Sequence, residues 1–289
     1  MLTAEGVRSD SDGPRCALAH SGGVARKRGV TVVFAALVGG LGFLGLVVGS
    51  FLNVVIYRVP RAESIVAPRS RCPRCGVTLT ALDNVPVVSY IVLKGHCRTC
   101  RAPISVQYPI IEVLTAGLFA ATAARFGFAW ALPAFVVFGA GLIALATIDL
   151  ERQVLPKQIV YVASASVGAL LVVAAAETGD WRRLLSAVAC AAVWFGLFFA
   201  VNAASPRWLG FGDVRLAFLL GLALGWLGVG YVLIGLFLAS FIGAAVGIGL
   251  IAAGRASLTT RISFGPFLAL GAEIAIFAGS SLLRPFHGA

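Results

Sequence analysis

Apolar runs of membrane-spanning length follow one another along most of this chain, separated by short polar breaks and by one long polar stretch. A helix needs about 20 predominantly apolar residues to cross a bilayer. By that measure the pattern predicts spans over roughly 31–57, 108–126, 130–149, 158–176, 184–204, 214–228, 229–254 and 264–283. The sixth is short. The long polar stretch, 58–107, falls between the first span and the second. The pattern therefore predicts an all-α polytopic membrane protein of about eight transmembrane helices, with a small insert between the first and second. The domain reading is a disordered tail over 1–29, a first transmembrane helix over 30–57, the insert over 58–107 and a transmembrane core over 108–289. The tail lacks an apolar period and is rich in Gly, Ser, Arg and Asp, so it has little to bury.

Composition agrees. Of 289 residues, 59% are hydrophobic and only 12% charged, against about 25% charged in soluble domains. This excludes a soluble globular protein. The 34 glycines suit helices that approach closely in lipid. A net charge of +11 would suggest nucleic acid in a soluble chain. Here the cations sit in the loops, so they report topology instead, the partner is the lipid bilayer, and no nucleic acid is expected. The insert carries Arg58, Arg61, Arg69, Arg71, Arg74, Lys94, Arg98 and Arg101. Alternation over eight spans adds Arg152, Lys157, Arg207, Arg255 and Arg261 to the same side. The opposite loops hold Arg125, Arg182, Arg183 and Arg284. That asymmetry places the insert in the cytoplasm. Only the tail, with "RKR" at 26–28 on the outer side, runs against it.

The insert holds "CPRC" at 72–75 and "CRTC" at 97–100. Each Cys-x-x-Cys turns two thiolates toward one point, and two such knuckles complete a tetrahedral zinc site at Cys72, Cys75, Cys97 and Cys100. Four thiolates leave no open position, so Zn2+ would be structural. A redox-active dithiol pair, metal-free solvated cysteines, and His96 in place of one cysteine are the other readings. Cys190 lies in an apolar run and reads as a small buried hydrophobe.

Four acids fall within or at the ends of spans: Glu112, Asp149, Asp213 and Glu273. Charge in a membrane is costly, so such residues are functional candidates by default. The plainer reading for any one is a carboxylate that reaches interfacial water or pairs with an arginine, and for Glu112 a loop arginine is the expected partner. Asp149 ends the third span and Asp213 begins the sixth, so both fall at the cytoplasmic face. Two carboxyls meeting there would share one proton. The ionised member could activate water while the protonated one donates to a carbonyl oxygen. Which residue holds the proton stays open, because the pair titrates as a unit. Gly210 and Gly212 would let the backbone turn ahead of Asp213 and let an extended substrate come close. His20 and His287 lie near the ends of the chain and His96 in the knuckle loop, so no Ser/His or Cys/His nucleophile set is plausible.

In combination, "GSFLNVVIYRVP" (49–60), "CPRC", "DNVPVVSY" (83–90), "KGHCRTC" (94–100), "APISVQYPIIEVLT" (102–115), "IDLERQVLP" (148–156), "GFGDVRLA" (210–217) and "FGPFLALGA" (264–272) carry a family resemblance. Over about 45–272 the chain resembles the type IV prepilin peptidases, membrane aspartic proteases of the Gly-x-Gly-Asp type. The resemblance implies an enzyme of the bacterial inner membrane that removes the basic leader of prepilins and pseudopilins at the cytoplasmic face. It implies Asp149 and Asp213 as the catalytic pair. It also implies N-methylation of the new N-terminus with S-adenosylmethionine, associated with the cysteine insert, and assigns Gly95 and Glu112 to methyl transfer. Lys157 stands where the family often has an acid, and Arg215 where it often has Lys. Readings from other classes are an ion-coupled transporter, which expects acids at mid-bilayer and inverted repeats, and a zinc-dependent assembly scaffold, which needs the cysteines but not the aspartates.

Overall fold

A computed structural model describes residues 18–67, 69–80, 82–206, 209–255, 257, 260 and 263–283, with the backbone alone over 18–30. Residues 1–17 of the tail, and Arg207, Arg261 and Arg284 of the charge pattern, lie outside the described residues. Helix α1 runs Leu18–Arg58 and is followed by a 3₁₀ turn at Val59–Arg61. The insert contains a second 3₁₀ turn, Leu82–Asn84, and the short helix α2, Val88–Val92. The long helices follow: α3 (Gln107–Phe126), α4 (Leu132–Arg152), α5 (Lys157–Thr178), α6 (Trp181–Ala204), α7 (Phe211–Leu227), α8 (Val229–Ala252) and α9 (Gly265–Leu283).

α1 begins well ahead of the apolar boundary at 30. Helix continues through polar residues because extension adds one hydrogen bond per residue once a stable helix exists. Its candidate membrane span is Thr31–Arg61 among the described residues. Among the described residues, seven helices are long and apolar enough to cross a membrane: α1, α3, α4, α5, α6, α8 and α9. The eighth, α7, has 17 residues and rises only about 26 Å. It is apolar on every face, with Val214, Leu216, Leu219, Leu222, Leu224 and Trp226 all buried. A helix of that kind belongs in the core, and α7 packs against α4, α5, α6, α8 and α9. Only Phe211 and Phe218 among its residues are exposed.

Three helix pairs meet backbone to backbone through small residues, as expected where lipid supplies no hydrophobic drive for association. A Cβ on Gly45 would come 2.6 Å from Ala116 Cα, and one on Gly49 2.7 Å from Glu112 Cα, so α1 and α3 touch directly. Gly221 and Gly225 of α7 do the same against Ala191 and Ala187 of α6, at 2.7 and 2.9 Å. Gly271 of α9 lies against the Gly235 carbonyl and the Ala239 N–H of α8. Gly228 alone joins α7 to α8 at φ 128, a conformation that favours glycine. Gly221→Ala drives a methyl into the α6 backbone and is expected to cost about 1–3 kcal/mol. Gly196→Ala on the open face of α6 should be neutral or mildly stabilising. Thermal midpoints of the two purified variants check the contrast.

The buried side chains form one large cluster across α4–α9. A smaller one holds Leu52, Ile56, Ile111, Ile143, Ala144 and Ile148. The second docks the α1–α3 pair onto α4, one residue from Asp149.

Candidate active site and metal centre

Asp149 sits in the last turn of α4, with 4% of its surface exposed. Gln153, at φ 54, ends that helix and donates its N–H to the Asp149 carbonyl, 2.9 Å. The chain then turns through Leu155 and Pro156, both buried, into α5. Asp213 stands in the first turn of α7, where a carboxylate complements the helix dipole. Its carboxyl faces back to the N–H of the capping residue Gly210 and to its own N–H. That is half of a capping box.

The two aspartates lie close enough for their charges to interact. Leu155 ties their surroundings together. Its side chain lies 2.9 Å from the Cβ that Gly212 lacks and 3.5 Å from the one that Gly265 lacks. Gly265 opens α9, and a Cβ there would strike Asp149 Oδ2. The glycines before Asp213 therefore act differently from the sequence expectation. Gly210 has an ordinary extended backbone, φ −71 and ψ 148, and Gly212 has no positive φ. They are needed for room: a Cβ on Gly210 would sit 3.3 Å from Asp213 Oδ2, and one on Gly212 would overlap Leu155.

Sequence reasoning missed one member of this site. The Ser263 hydroxyl, in the α8–α9 connection, donates to Asp149 Oδ2, and the Gly265 N–H points at the same carboxylate. No sequence signal marks a lone loop serine, although it directly precedes "FGPFLALGA".

Glu112 and Gly95 sit elsewhere, at the two ends of α2. Glu112 is buried on α3, and its Oε2 accepts the Val87 N–H at 2.7 Å. Among the described residues no arginine pairs with it, and the acid is spent on a backbone donor. Val87 holds φ 59, a strained conformation for a β-branched residue, so the bond pins a reluctant turn. Gly95, at φ 71, closes the other end with its N–H on the Tyr90 carbonyl, 2.9 Å, and the Tyr90 ring beside it. Glu273 lies farther along α9, where a Cβ on Gly139 of α4 would be 3.5 Å from its Oε1. Among the described residues that oxygen has no hydrogen-bond partner, and none of them places Glu273 with the two aspartates.

The four cysteines converge, with their sulfurs all within 4.8 Å of one another. Cys72 and Cys100 are 3.8 Å apart, the spacing of about 3.8 Å expected between sulfurs held tetrahedrally at Zn–S bonds of about 2.3 Å. It is far beyond a disulfide bond. The two knuckles repeat one geometry. Cys72 N–H bonds the Val77 carbonyl and Gly76 N–H the Cys72 carbonyl, both at 2.9 Å. Cys97 N–H bonds the Ala102 carbonyl at 2.8 Å and Arg101 N–H the Cys97 carbonyl at 3.0 Å. Gly76 (φ 72) and Arg101 (φ 56) occupy the matching left-handed position. Backbone N–H groups of Cys75 and Arg74 hold the Cys72 thiol down to about 6, while burial and the neighbouring sulfurs push Cys75 up to about 11, so Cys72 is the first of that pair to become a thiolate. The cluster could thus hold a metal ion. His96 bonds its Nδ1 to the Lys94 carbonyl, 2.6 Å, and the converging ligand atoms among the described residues are the four sulfurs without it. Asp83 braces the second knuckle through Arg98 at 2.9 Å. The Thr80 hydroxyl and N–H, with Arg98, hold the Asp83 carboxyl below its ordinary range.

Two family descriptions match: the bacterial Peptidase A24 N-terminal domain over 43–126 and the type IV leader peptidase family over 136–248. A prepilin leader peptidase/N-methyltransferase of Aeromonas hydrophila is 36% identical over 267 residues, covering 83% of this chain and 90% of the relative. The chain belongs to the type IV leader peptidase family. Relatives of the same description in Pseudomonas aeruginosa and Myxococcus xanthus are 33% and 42% identical, over 84% and 75% of this chain and 91% and 64% of theirs. No solved structure matches the chain. Both aspartates fall inside the leader-peptidase match. The cysteines, Gly95 and Glu112 fall inside the N-terminal one. Ser263 and Gly265 lie beyond both. Family membership does not favour the transporter and scaffold readings.

Proposed function

We propose that this chain is an aspartic endopeptidase of the bacterial inner membrane that removes the basic leader of type IV prepilins or pseudopilins at the cytoplasmic face. It also methylates the new N-terminus with S-adenosylmethionine. One observation carries the reading: Asp149 of α4 and Asp213 of α7 lie at neighbouring helix ends with their charges interacting, within a stretch that matches the leader-peptidase family. The named relatives support the substrate and both activities.

In the proposed mechanism the two carboxyls share one proton. The ionised member takes a proton from a water held between them, and the resulting hydroxide adds to the scissile carbonyl carbon. The protonated member donates to the carbonyl oxygen. Collapse of the tetrahedral species returns a proton to the departing amine. No covalent acyl-enzyme forms. The substrate's hydrophobic stem lies in the bilayer and its leader in the cytoplasm, so an active site at the membrane surface meets the junction.

The insert over 58–107 is assigned to methyl transfer and 108–289 to proteolysis. Zn2+ at Cys72, Cys75, Cys97 and Cys100 would be structural and supply folding energy to a segment with little core of its own. S-adenosylmethionine supplies an activated methyl group when bound. A cleft of about 340 Å³ between α1 and the insert, lined by Phe51, Arg58, Arg69 and Asn84 among others, offers cations for the donor's carboxylate. Gly95 and Glu112 act on methyl transfer by holding α2, since the Glu112 carboxylate already has a partner.

Purified protein incubated with a prepilin and labelled S-adenosylmethionine should yield a product lacking the leader and carrying one methyl, read by mass. An uncut substrate would remove the peptidase reading, and a cut but unmethylated product the transferase. Metal analysis under reducing conditions should find about one zinc per chain. Cys97→Ser should lose that zinc and methylation before cleavage. Retained zinc in this variant would contradict the four-cysteine site.

A further inference from the structure

Asp149 is almost fully buried, so the protein itself must supply most of its hydrogen-bond donors. They come from one place, the α8–α9 connection: the hydroxyl of Ser263 and the N–H of Gly265. These residues are remote in sequence from Asp149 and lie outside both family matches. Asp213 differs. It is half-buried, and the N–H groups near it are those of its own helix cap, Gly210 and Asp213 itself, of which the Asp213 N–H already bonds the Gly210 carbonyl at 3.1 Å. A residue's own N–H meets its carboxylate at a bent, weak angle.

The groups facing Asp149 are few. From α7 comes Asp213, from the α4–α5 turn the apolar Leu155, and from the α8–α9 connection Ser263 and Gly265. On its own helix, Glu151 accepts from Gln107 and Arg152 is exposed. Among the described residues no cation pairs with either aspartate. Among the described residues, Ser263 and Gly265 are therefore the groups that favour charge on Asp149, against its burial.

We infer that Ser263 is a positioning residue for the aspartate pair. Its hydroxyl holds Asp149 Oδ2, leaves Oδ1 for the water, and keeps the charge of the pair on Asp149 and the shared proton on Asp213. Asp149 is then the base that activates water, and Asp213 the acid that donates to the carbonyl oxygen. The inference rests on the proposed catalytic pair.

The test is the pH profile of leader cleavage by the full-length protein in detergent, with a prepilin substrate. A donor to an ionised carboxylate stabilises the charged form, so removing it lets Asp149 take up a proton more easily and the base is lost at higher pH. Ser263→Ala should lower kcat about tenfold or more, leave KM near its wild-type value, and move the acid limb up by about one pH unit. Ser263→Thr, which keeps the hydroxyl, should restore the profile.

An unmoved acid limb in Ser263→Ala overturns the inference. So does a shift to lower pH, which would mean that the hydroxyl accepts from a protonated Asp149. If the alanine variant does not survive purification, Ser263→Cys keeps the size with a weaker donor and must shift in the same direction. A wild-type profile in that variant also overturns the inference. Failure of the underlying pair looks different, because Asp149→Asn would then still cleave.

Discussion

Asp149→Asn and Asp213→Asn are each expected to lower leader cleavage by about 10³-fold or more, in protein that still inserts and keeps its metal content. Each amide keeps the size and much of the hydrogen bonding of the carboxyl it replaces but can neither take up nor release a proton in the needed way. The two losses are strongly non-additive, since residues that act as a unit fail together. The double variant should be scarcely worse than either single one. Methyl transfer to a substrate supplied already cut should survive, because Cys72, Cys75, Cys97, Cys100, Gly95 and Glu112 all lie in or against the insert. Cleavage retained in either single variant, measured on protein of wild-type zinc content, would remove that residue from the reaction.

Gly265→Ala has the next largest effect. Its new methyl would occupy the space of Asp149 Oδ2, and one of the two must move. Misplacing a reacting group by about 1 Å can cost about 10²-fold in rate, and a loss of that order in kcat is expected. Stability should change less than activity, since alanine favours helix over glycine and the atom the buried methyl meets is the end of the Asp149 side chain rather than backbone. The comparison of kcat with the thermal midpoint separates the two effects. Full activity in Gly265→Ala would mean that the Asp149 carboxyl does not sit beneath the start of α9.

What the sequence reveals of this site follows from energetic cost. Aspartates at the ends of apolar spans are expensive enough to stand out, and so are paired cysteines in a segment too small to fold on an apolar core. The spans were legible because apolar length is what a bilayer demands. α7 was the ambiguous one, at 17 residues, because a helix wrapped by its neighbours is not held to the thickness of the lipid. The backbone contacts were not legible. Glu112 spends its charge on the Val87 N–H, a donor every residue but proline has. Gly210 and Gly212 suggested a turn, yet they serve close approach, which depends on where Leu155 lies. Ser263 is invisible for the same reason: a loop hydroxyl has meaning only once α9 is docked beside α4.

The pairing of Asp149 with Asp213 is tested most directly by the structure of a complex. The ligand would be a prepilin junction peptide with a hydroxyethylene group in place of the scissile amide, so that its hydroxyl stands where the attacking water would be. That hydroxyl should lie within hydrogen-bond reach, about 2.6–3.2 Å, of both carboxyls, with the leader emerging on the side of the insert. A hydroxyl bound by only one aspartate, with the other turned away, would contradict the shared active site.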